Sequence, residues 1–539
     1  MTAVVEVADV VVIGSGYGGS IPAYYLAAGG AKVVVLERGQ WFTAPDFAQD
    51  MKLGTFTRYL DLIVGDGISV LAGNCVGGSS VVNMAGSLRA PSFIFDRTVG
   101  TGVRQWPAGL SRAALDPWYH RVSQALPVHK QSWDQVSFSG GVFAAACHHT
   151  GRTCNPVPLA VDMTKCTGCG WQLNGCTFDA KRSMLLNYIP AACAYGAQVR
   201  PLHEVQHLGP ATTSGYRYSV GYTVYDTSGA VVSTSSIEAK IVILAAGSLG
   251  TPVILQRSAA ALGAMPAAVG KHFSSNGDHL GTYALNESAI SSVLGLKRDA
   301  HTAFKGTSIG RPISSMSYDG LDAQAPEFTR FSVQQIYFAP LTMILDQSFT
   351  GGPTWFGVAK KALRQKWSST ITLMAMTEDD NEGVFGPPPP TGSYTRLAAE
   401  VASNSLYYHP TANTLRGWAA ADAEVAAILK DVVDDGSVWD VNVLGTVSAH
   451  PLSSVRMGDD PATSALDATH ELRGFPGVFV TDGAAIPTSL CVNPSLTISA
   501  LAERAVPAIV ARARQSGVAV RLETHLPAGA ASSARPALV

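Results

Sequence analysis

A short stretch near the N-terminus constrains the fold of this 539-residue chain more than any other feature. The apolar, β-branched residues VVVI at 10–13 predict a buried parallel strand. Gly14, Gly16 and Gly19 follow as GxGxxG, and an Ala/Tyr/Leu segment that predicts a helix comes next. Such glycines permit a tight turn and close backbone approach, so that a pyrophosphate can lie over the helix N-terminus. The pattern therefore predicts a dinucleotide-binding βαβ unit.

A second apolar run, KVVVL at 32–36, ends at Glu37. An acid about 20 residues beyond the glycines accepts hydrogen bonds from ribose hydroxyls. It also argues against NADP, because the carboxylate would repel a 2′-phosphate. The chain thus has a strand, glycines, a helix, a second strand and an acid in the expected order. This order favours a nucleotide site over an ordinary turn. This motif alone does not distinguish FAD from NAD.

Length and charge limit the class of protein. A chain of 539 residues exceeds one compact core, so we expect two closely joined domains. The net charge of −2 provides no basic field to recruit nucleic acid. No apolar run reaches the roughly 18 residues that span a bilayer. No signal peptide is evident, so we expect a cytoplasmic protein unless a precursor was trimmed.

Four of the eight cysteines raise the question of a metal cluster. Cys166, Cys169 and Cys176 lie in KCTGCGWQLNGC, and Cys154 upstream could complete four thiols. Their irregular spacing favours a structural loop, so we predict no metal site. A disulfide is expected only if the protein is exported.

Anchors spread over nearly the whole chain carry a family resemblance. They are GSGYGG at 14–19, GNCVGGSSVVNMAG at 73–86, ILAAGSLGTPVIL at 243–255, AHPLSSVRMG at 449–458 and VTDGAAIPTSLCVNPSLTISALAER at 480–504. In this order they resemble the glucose–methanol–choline (GMC) flavin oxidoreductases, within them the cholesterol-oxidase-like branch. The resemblance implies FAD as cofactor. It also implies an α/β fold, with a Rossmann-type FAD-binding domain and an inserted α+β substrate domain on a mainly antiparallel sheet.

The resemblance divides the chain into alternating segments. They are FAD-binding segments at 1–45, 65–155, 196–290 and 441–520, a cysteine-containing loop bordering both domains at 156–195, a substrate domain at 291–440, and a disordered tail at 521–539.

The resemblance also implies which residues hold FAD. They are Gly14, Gly16, Gly19, Glu37, Gly73, Gly77, Gly78, Asn83, Val205, Ala246, Asp482, Gly483, Asn493 and Pro494. The glycines would let the backbone approach the pyrophosphate and flavin ring closely. Asp482 would bind ribitol or pyrophosphate hydroxyls, and Val205 the adenine. The helix after Pro494 would place its N-terminus toward the flavin, favouring electron density there.

The same resemblance identifies His450 and Asn493 as catalytic. Oxidising an alcohol requires that the hydroxyl proton be accepted while hydride moves to flavin N5. His450 fits the base or hydrogen-bonding role, because imidazole titrates near working pH. Asn493 would orient the substrate oxygen. Alternatively, His450 could be a buried core residue and Asn493 a turn residue. The surrounding HPL and NPS motifs favour the catalytic roles.

The implied function is oxidation of a bulky hydrophobic alcohol, a sterol or terpenoid, with oxygen or an unidentified molecule as electron acceptor. In FSVQQIYFAP, Gln335 matches the glutamate that shifts the double bond in cholesterol oxidases, and an amide is no base. We therefore expect no efficient isomerisation, unless the alignment is shifted by several residues. Sugar or glycoside oxidation, a lyase with structural FAD, and an electron-transfer subunit with a cysteine-bound cluster remain open.

The segment TITLMAMTEDDNEGVFG at 370–386 predicts a hairpin. Its turn would carry Glu378, Asp379 and Asp380. We expect a solvated turn rather than a cation site, since no EF-hand spacing follows.

Overall fold

The computed structural model describes residues 5–47, 58–99, 102–296, 313–336, 370–387, 405–440, 446–529 and 533. The strands are β1 Glu6–Ile13, β2 Val33–Leu36, β3 Leu60–Val64, β4 Ile68–Gly73, β5 Thr98–Val99, β6 Val103–Arg104, β7 His129–Lys130, β8 Asn155–Pro156, β9 Pro158–Leu159, β10 Gln198–Arg200, β11 His203–Pro210, β12 Tyr218–Tyr225, β13 Val231–Leu244, β14 Lys271–Ser274, β15 Asp278–Leu285, β16 Ile313–Ser317, β17 Phe331–Ile336, β18 Thr370–Thr377, β19 Val384–Phe385, β20 Leu406–Tyr407, β21 Val433–Asp440, β22 Thr446–Ser448, β23 Leu452–Ser454 and β24 Val478–Val480. The helices are α1 Tyr17–Ala28, α2 Ser79–Val82, α3 Arg112–Ala125, α4 Phe138–His149, α5 Tyr188–Ala194, α6 Gly247–Leu262, α7 Glu287–Leu294, α8 Ala412–Leu429 and α9 Ser495–Gln515.

The first sheet carries the predicted nucleotide end of the chain. Its strands lie in the order β10-β2-β1-β13-β12-β11, and β24 pairs with β13 at the C-terminal end of that strand. β10, β2, β1, β13 and β24 run parallel, whereas β12 and β11 add an antiparallel extension. The runs at 10–13 and 33–36 are buried on both faces, as parallel strands between layers require. The predicted Rossmann-type strands are confirmed.

The second sheet is antiparallel throughout, in the order β21-β15-β18-β17-β16-β8. Helices α4 and α8 pack on it, and the apolar cluster between them includes Phe143, Leu373 and Val425. The predicted fold class is confirmed. This sheet starts earlier in the chain than the expected boundary at 291, because β8 and β15 both belong to it. None of the described helices is both long and apolar enough to cross a membrane.

The predicted hairpin at 370–386 is wrong, because β19 pairs with β20 rather than with β18. The acidic residues after β18 also differ from the expected solvated turn, since Glu378 and Asp379 have no exposed surface. Arg330 and Arg97 lie 3.2 and 3.7 Å from a Glu378 carboxylate oxygen. Burial raises the pKa of Asp379, and hydrogen bonds that include one from the Ser274 hydroxyl (2.8 Å) oppose that rise. Partners distant in sequence thus allow these carboxylates to be buried.

Candidate active site

One cavity gathers most of the predicted site residues. It lies at the C-terminal ends of β1, β2 and β13 and reaches strands β16, β17 and β18 of the second sheet. This is the edge of a parallel sheet where nucleotides bind. The predicted residues that line it are Gly14, Gly16, Glu37, Gly73, Gly78, Asn83, Val205, Ala246, His450, Asp482, Gly483, Asn493 and Pro494. Gly19 and Gly77 lie outside the lining.

The three glycines of the first turn serve two different needs. Gly14 has a φ of +94°, and a Cβ there would lie 2.3 Å from the Ala245 carbonyl oxygen. A Cβ on Gly19 would lie 2.0 Å from the Gly14 carbonyl oxygen. A Cβ on Gly16 would meet nothing within 4 Å, although Gly16 is the N-cap of α1. Gly14 and Gly19 are therefore required by the protein's own packing, whereas Gly16 keeps open the space over a helix N-terminus.

This difference predicts how two alanine substitutions separate folding from cofactor binding. We expect Gly16→Ala to leave the Tm of the apoprotein unchanged. We expect it to raise the Kd for FAD about tenfold or more, because the methyl group occupies the space over the helix N-terminus. Gly19→Ala is the contrasting variant, and we expect it to lower the apoprotein Tm because it clashes with backbone. Thermal unfolding and FAD titration of both apoproteins check this. Unchanged FAD affinity in Gly16→Ala would contradict the assignment.

Glu37 anchors a hydrogen-bonded link between two glycine-rich loops. One carboxylate oxygen accepts from Ser15 N (3.0 Å) and Ser15 Oγ (2.6 Å), and the other accepts from Gly39 N (2.8 Å). Ser15 Oγ in turn accepts from Gly77 N at 2.9 Å. Burial raises the pKa of Glu37. Gly77 thus supports the site through Ser15, a residue that the sequence reasoning missed although it lies between two of the predicted glycines.

Asp482 joins the C-terminal part of the chain to helix α6. Its carboxylate accepts from Gly247 N (2.7 Å) and Thr251 Oγ1 (2.7 Å) near the start of that helix, and from Ala484 N (2.9 Å). Burial raises the pKa of Asp482 to about 6. Its position at the cavity wall fits the predicted contact with cofactor hydroxyls, while its own hydrogen bonds fix its direction.

Asn83 is held from three sides. Its amide nitrogen donates to the Tyr17 hydroxyl (2.8 Å), and its side-chain oxygen accepts from Ala85 N (3.1 Å). Its carbonyl oxygen accepts from Lys181 Nζ (2.8 Å), which also donates to the Gln172 carbonyl (2.7 Å). Burial lowers the pKa of Lys181 to about 7. Lys181 was not predicted, and it ties the cysteine-containing loop to the cavity wall.

His450 lies between a carboxylate and an amide. Its Nδ1 is 2.8 Å from Asp278 Oδ1, and its Nε2 is 3.1 Å from Asn493 Nδ2. Asp278 is buried, with 1% of its surface exposed. This geometry assigns the proton of a neutral imidazole to Nδ1, so that Nε2 is an acceptor beside the Asn493 amide. The structure therefore brings both predicted catalytic residues together and adds Asp278, which the sequence reasoning missed.

The segment that carries Asp278 also contacts the two loops that hold the predicted catalytic residues. Ala449 N donates to Asp278 (3.0 Å), and Asn276 Nδ2 donates to the Val492 carbonyl (3.1 Å). Ala449 and Val492 immediately precede the histidine and the asparagine in the chain. The short segment from Asn276 to Asp278, at the start of β15, thus links the two loops.

The expected position of Gln335 needs correction. Gln335 does not line the cavity; its side-chain oxygen accepts from the hydroxyls of Ser314 (2.7 Å) and Ser137 (3.3 Å). Gln334 lines the cavity instead, because successive strand residues point to opposite faces. The residue that faces the site is still an amide, displaced by one position.

The structure does not bring the four discussed cysteines together. Cys154 belongs to an apolar cluster with Cys147, whereas Cys166 and Cys176 pack against the main core. In the part of the chain that the structure describes, no three His, Cys, Asp or Glu side chains form a group that could hold a metal ion. The cluster-bearing electron-transfer hypothesis gains no support from this arrangement.

Comparison with known proteins places this geometry in a family. Models of the GMC oxidoreductase N- and C-terminal regions match residues 9–277 and 411–502. A cholesterol oxidase of Mycobacterium tuberculosis is 27% identical, over 92% of this chain and 90% of the relative. A long-chain-alcohol oxidase of Arabidopsis thaliana is 25% identical, over 92% and 66%. Pyridoxine 4-oxidase of Mesorbium loti shares the fold, with a TM-score of 0.62 at 18% identity over 93% and 99% of the two chains.

Three features of the cavity fit an FAD enzyme. They are the open space at Gly16, the acid Glu37 after β2, and the contact between His450 and Asn493. Together with the two matches, they lead to one conclusion. The chain belongs to the GMC oxidoreductase family and is an FAD-dependent oxidoreductase that acts on alcohols.

Proposed function

We propose that this enzyme oxidises the hydroxyl of a bulky hydrophobic alcohol, a sterol or terpenoid, to a ketone or aldehyde without efficient isomerisation. One observation carries the proposal: His450 and Asn493 share a cavity with Ile313 and Met374 of the second sheet. The described residues of that sheet at the cavity offer one polar side chain, Gln334. A sugar would need several polar partners, so oxidation of sugars or glycosides is the less favoured alternative.

In this proposal, His450 Nε2 accepts the proton of the reacting hydroxyl. Asp278 accepts a hydrogen bond from Nδ1 and stabilises the imidazolium that forms. The Asn493 amide holds the substrate oxygen beside Nε2. When bound at Gly16, Glu37 and Asp482, FAD supplies the hydride acceptor. In this proposal, the protein accepts the proton and the cofactor accepts the hydride.

One side chain supports the absence of efficient isomerisation. Gln334 is an amide and takes no proton at neutral pH. We also propose oxygen as the acceptor, because relatives that cover most of this chain are a cholesterol oxidase and a long-chain-alcohol oxidase.

Anaerobic titration of the holoenzyme with sterols, terpenoids, long-chain alcohols and glycosides tests the substrate class. We expect bleaching of the flavin absorption by sterols or terpenoids, and rapid return of colour on admitting air. We also expect a 3β-hydroxy-Δ5 sterol to yield its unconjugated ketone, which mass and ultraviolet spectra distinguish from the conjugated isomer. Bleaching by glycosides alone would overturn the substrate class. Bleaching by none of them, in a flavin that dithionite reduces, would favour the lyase alternative.

A further inference from the structure

A buried amide in the cavity wall has an unused hydrogen-bonding atom. Gln334 lies in β17 with no exposed surface, and its side chain lines the cavity. Its nitrogen donates to the Met374 sulfur at 3.4 Å, a weak acceptor. Its oxygen has no hydrogen-bond partner among the described residues. Buried polar atoms in native proteins are normally paired, so this oxygen calls for a partner beyond the described residues.

The neighbouring glutamine shows what a purely structural role looks like in the same strand. Gln335 is equally buried, with 1% of its surface exposed. Two serine hydroxyls donate to its oxygen, and its nitrogen donates to the Ile336 carbonyl (2.9 Å). Every hydrogen-bonding end of Gln335 is therefore used within the protein. Gln334 differs because its oxygen has no partner among the described residues, and it is the one of the two that lines the cavity.

The chemistry of the free atom limits what can bind there. A carboxamide oxygen only accepts hydrogen bonds, so its partner must carry an O–H or N–H group. In the proposed function, His450 and Asn493 serve the reacting hydroxyl, and their side chains contact each other at 3.1 Å. The donor for Gln334 is then a second group on the substrate, attached to an apolar body that packs against Ile313 and Met374.

We propose that Gln334 is a specificity-determining residue that accepts a hydrogen bond from a second hydroxyl or amine of the substrate. This inference rests on the proposed function, and it narrows the substrate class to apolar alcohols that carry a second donor. An otherwise apolar wall disfavours an added hydroxyl, so any preference for such substrates must come from a polar atom in the cavity.

The test compares matched probes on the holoenzyme: monohydroxy sterols against dihydroxy sterols, and 1-alkanols against α,ω-alkanediols of equal length. The Kd comes from the change in flavin absorption on binding, and the reduction rate from anaerobic mixing. We expect the wild type to bind the dihydroxy member of at least one pair about tenfold more tightly, the effect of one buried hydrogen bond. In Gln334→Met we expect this ratio to fall to about one.

Gln335→Met is the matched control, and we expect it to keep the wild-type ratio. The FAD content and Tm of Gln334→Met should stay close to those of the wild type, because the oxygen has no internal hydrogen bond to lose and the nitrogen loses only a weak one to the Met374 sulfur. Equal Kd values within every pair for the wild type, or an unchanged ratio in Gln334→Met, would overturn the inference even if alcohols reduce the flavin. If no alcohol reduces it, the proposed function fails, and the Kd ratios still decide the role of Gln334.

Discussion

Replacing His450 by glutamine lowers the rate of flavin reduction by alcohol about 10²–10⁴-fold, the usual contribution of a positioned general base. The amide retains a hydrogen-bonding group near Asn493 but cannot accept the hydroxyl proton. His450 contributes to only part of the wall of the cavity, so we expect the FAD content to stay at the wild-type level. Stopped-flow reduction under anaerobic conditions, beside the FAD-to-protein ratio, checks both expectations.

The matched control for this variant is His279→Gln. His279 also contacts an aspartate, with its Nε2 2.9 Å from Asp422 Oδ1, but it stacks on Trp418 and does not line the cavity. We expect its reduction rate to equal that of the wild type. A His450→Gln enzyme that reduces its flavin at the wild-type rate would show that another group accepts the proton.

Asp278→Asn has the second largest expected effect, a fall of about 10²–10⁴ in the rate of flavin reduction, in the range found for carboxylates that orient a catalytic histidine. The carboxylate accepts from both His450 Nδ1 and Ala449 N. An amide can satisfy only one of these donors with its oxygen. If its nitrogen faces Nδ1, the imidazole proton moves to Nε2, and the acceptor that the substrate needs is lost. The same stopped-flow assay measures the loss.

Asp422→Asn alters another aspartate that contacts a histidine, on the surface, where 54% of the Asp422 side chain is exposed. We expect no change in reduction rate for this control. A similar small effect of both substitutions would mean that Asp278 only helps the loop to fold. Far-ultraviolet circular dichroism and FAD content of Asp278→Asn separate lost orientation from lost folding.

The nucleotide end of this chain could be predicted because its information is local. A buried strand, a turn that demands glycines and an acid after the next strand lie within 37 residues, and the structure confirms the strands and the fold class. The cofactor and family are confirmed by the two model matches. His450 and Asn493 were found through short frames, and their catalytic roles stay predictions.

The missed features depend on contacts between distant segments. Asp278 precedes its histidine by 172 positions, and no local pattern distinguishes it from other acids at the start of a strand. The exchange of Gln334 for Gln335 arose because β17 is buried on both faces, so no alternation of polar residues marks its register. Glu378 looked solvated because the arginines that compensate it lie 48 and 281 residues away.

The position of β24 beside β13 has a consequence for how the protein is made. The parallel sheet takes that strand from residues 478–480, and Thr481 Oγ1 then donates to the Gly18 carbonyl (2.7 Å), which closes the sheet onto the first helix. At about 5–20 residues per second, a ribosome needs roughly half a minute to a minute and a half to reach this point. Until then, the apolar end of β13 has no partner on that side. We therefore expect cofactor loading to be a late event in biosynthesis, because a nascent chain stalled before residue 478 lacks the last strand of the parallel sheet.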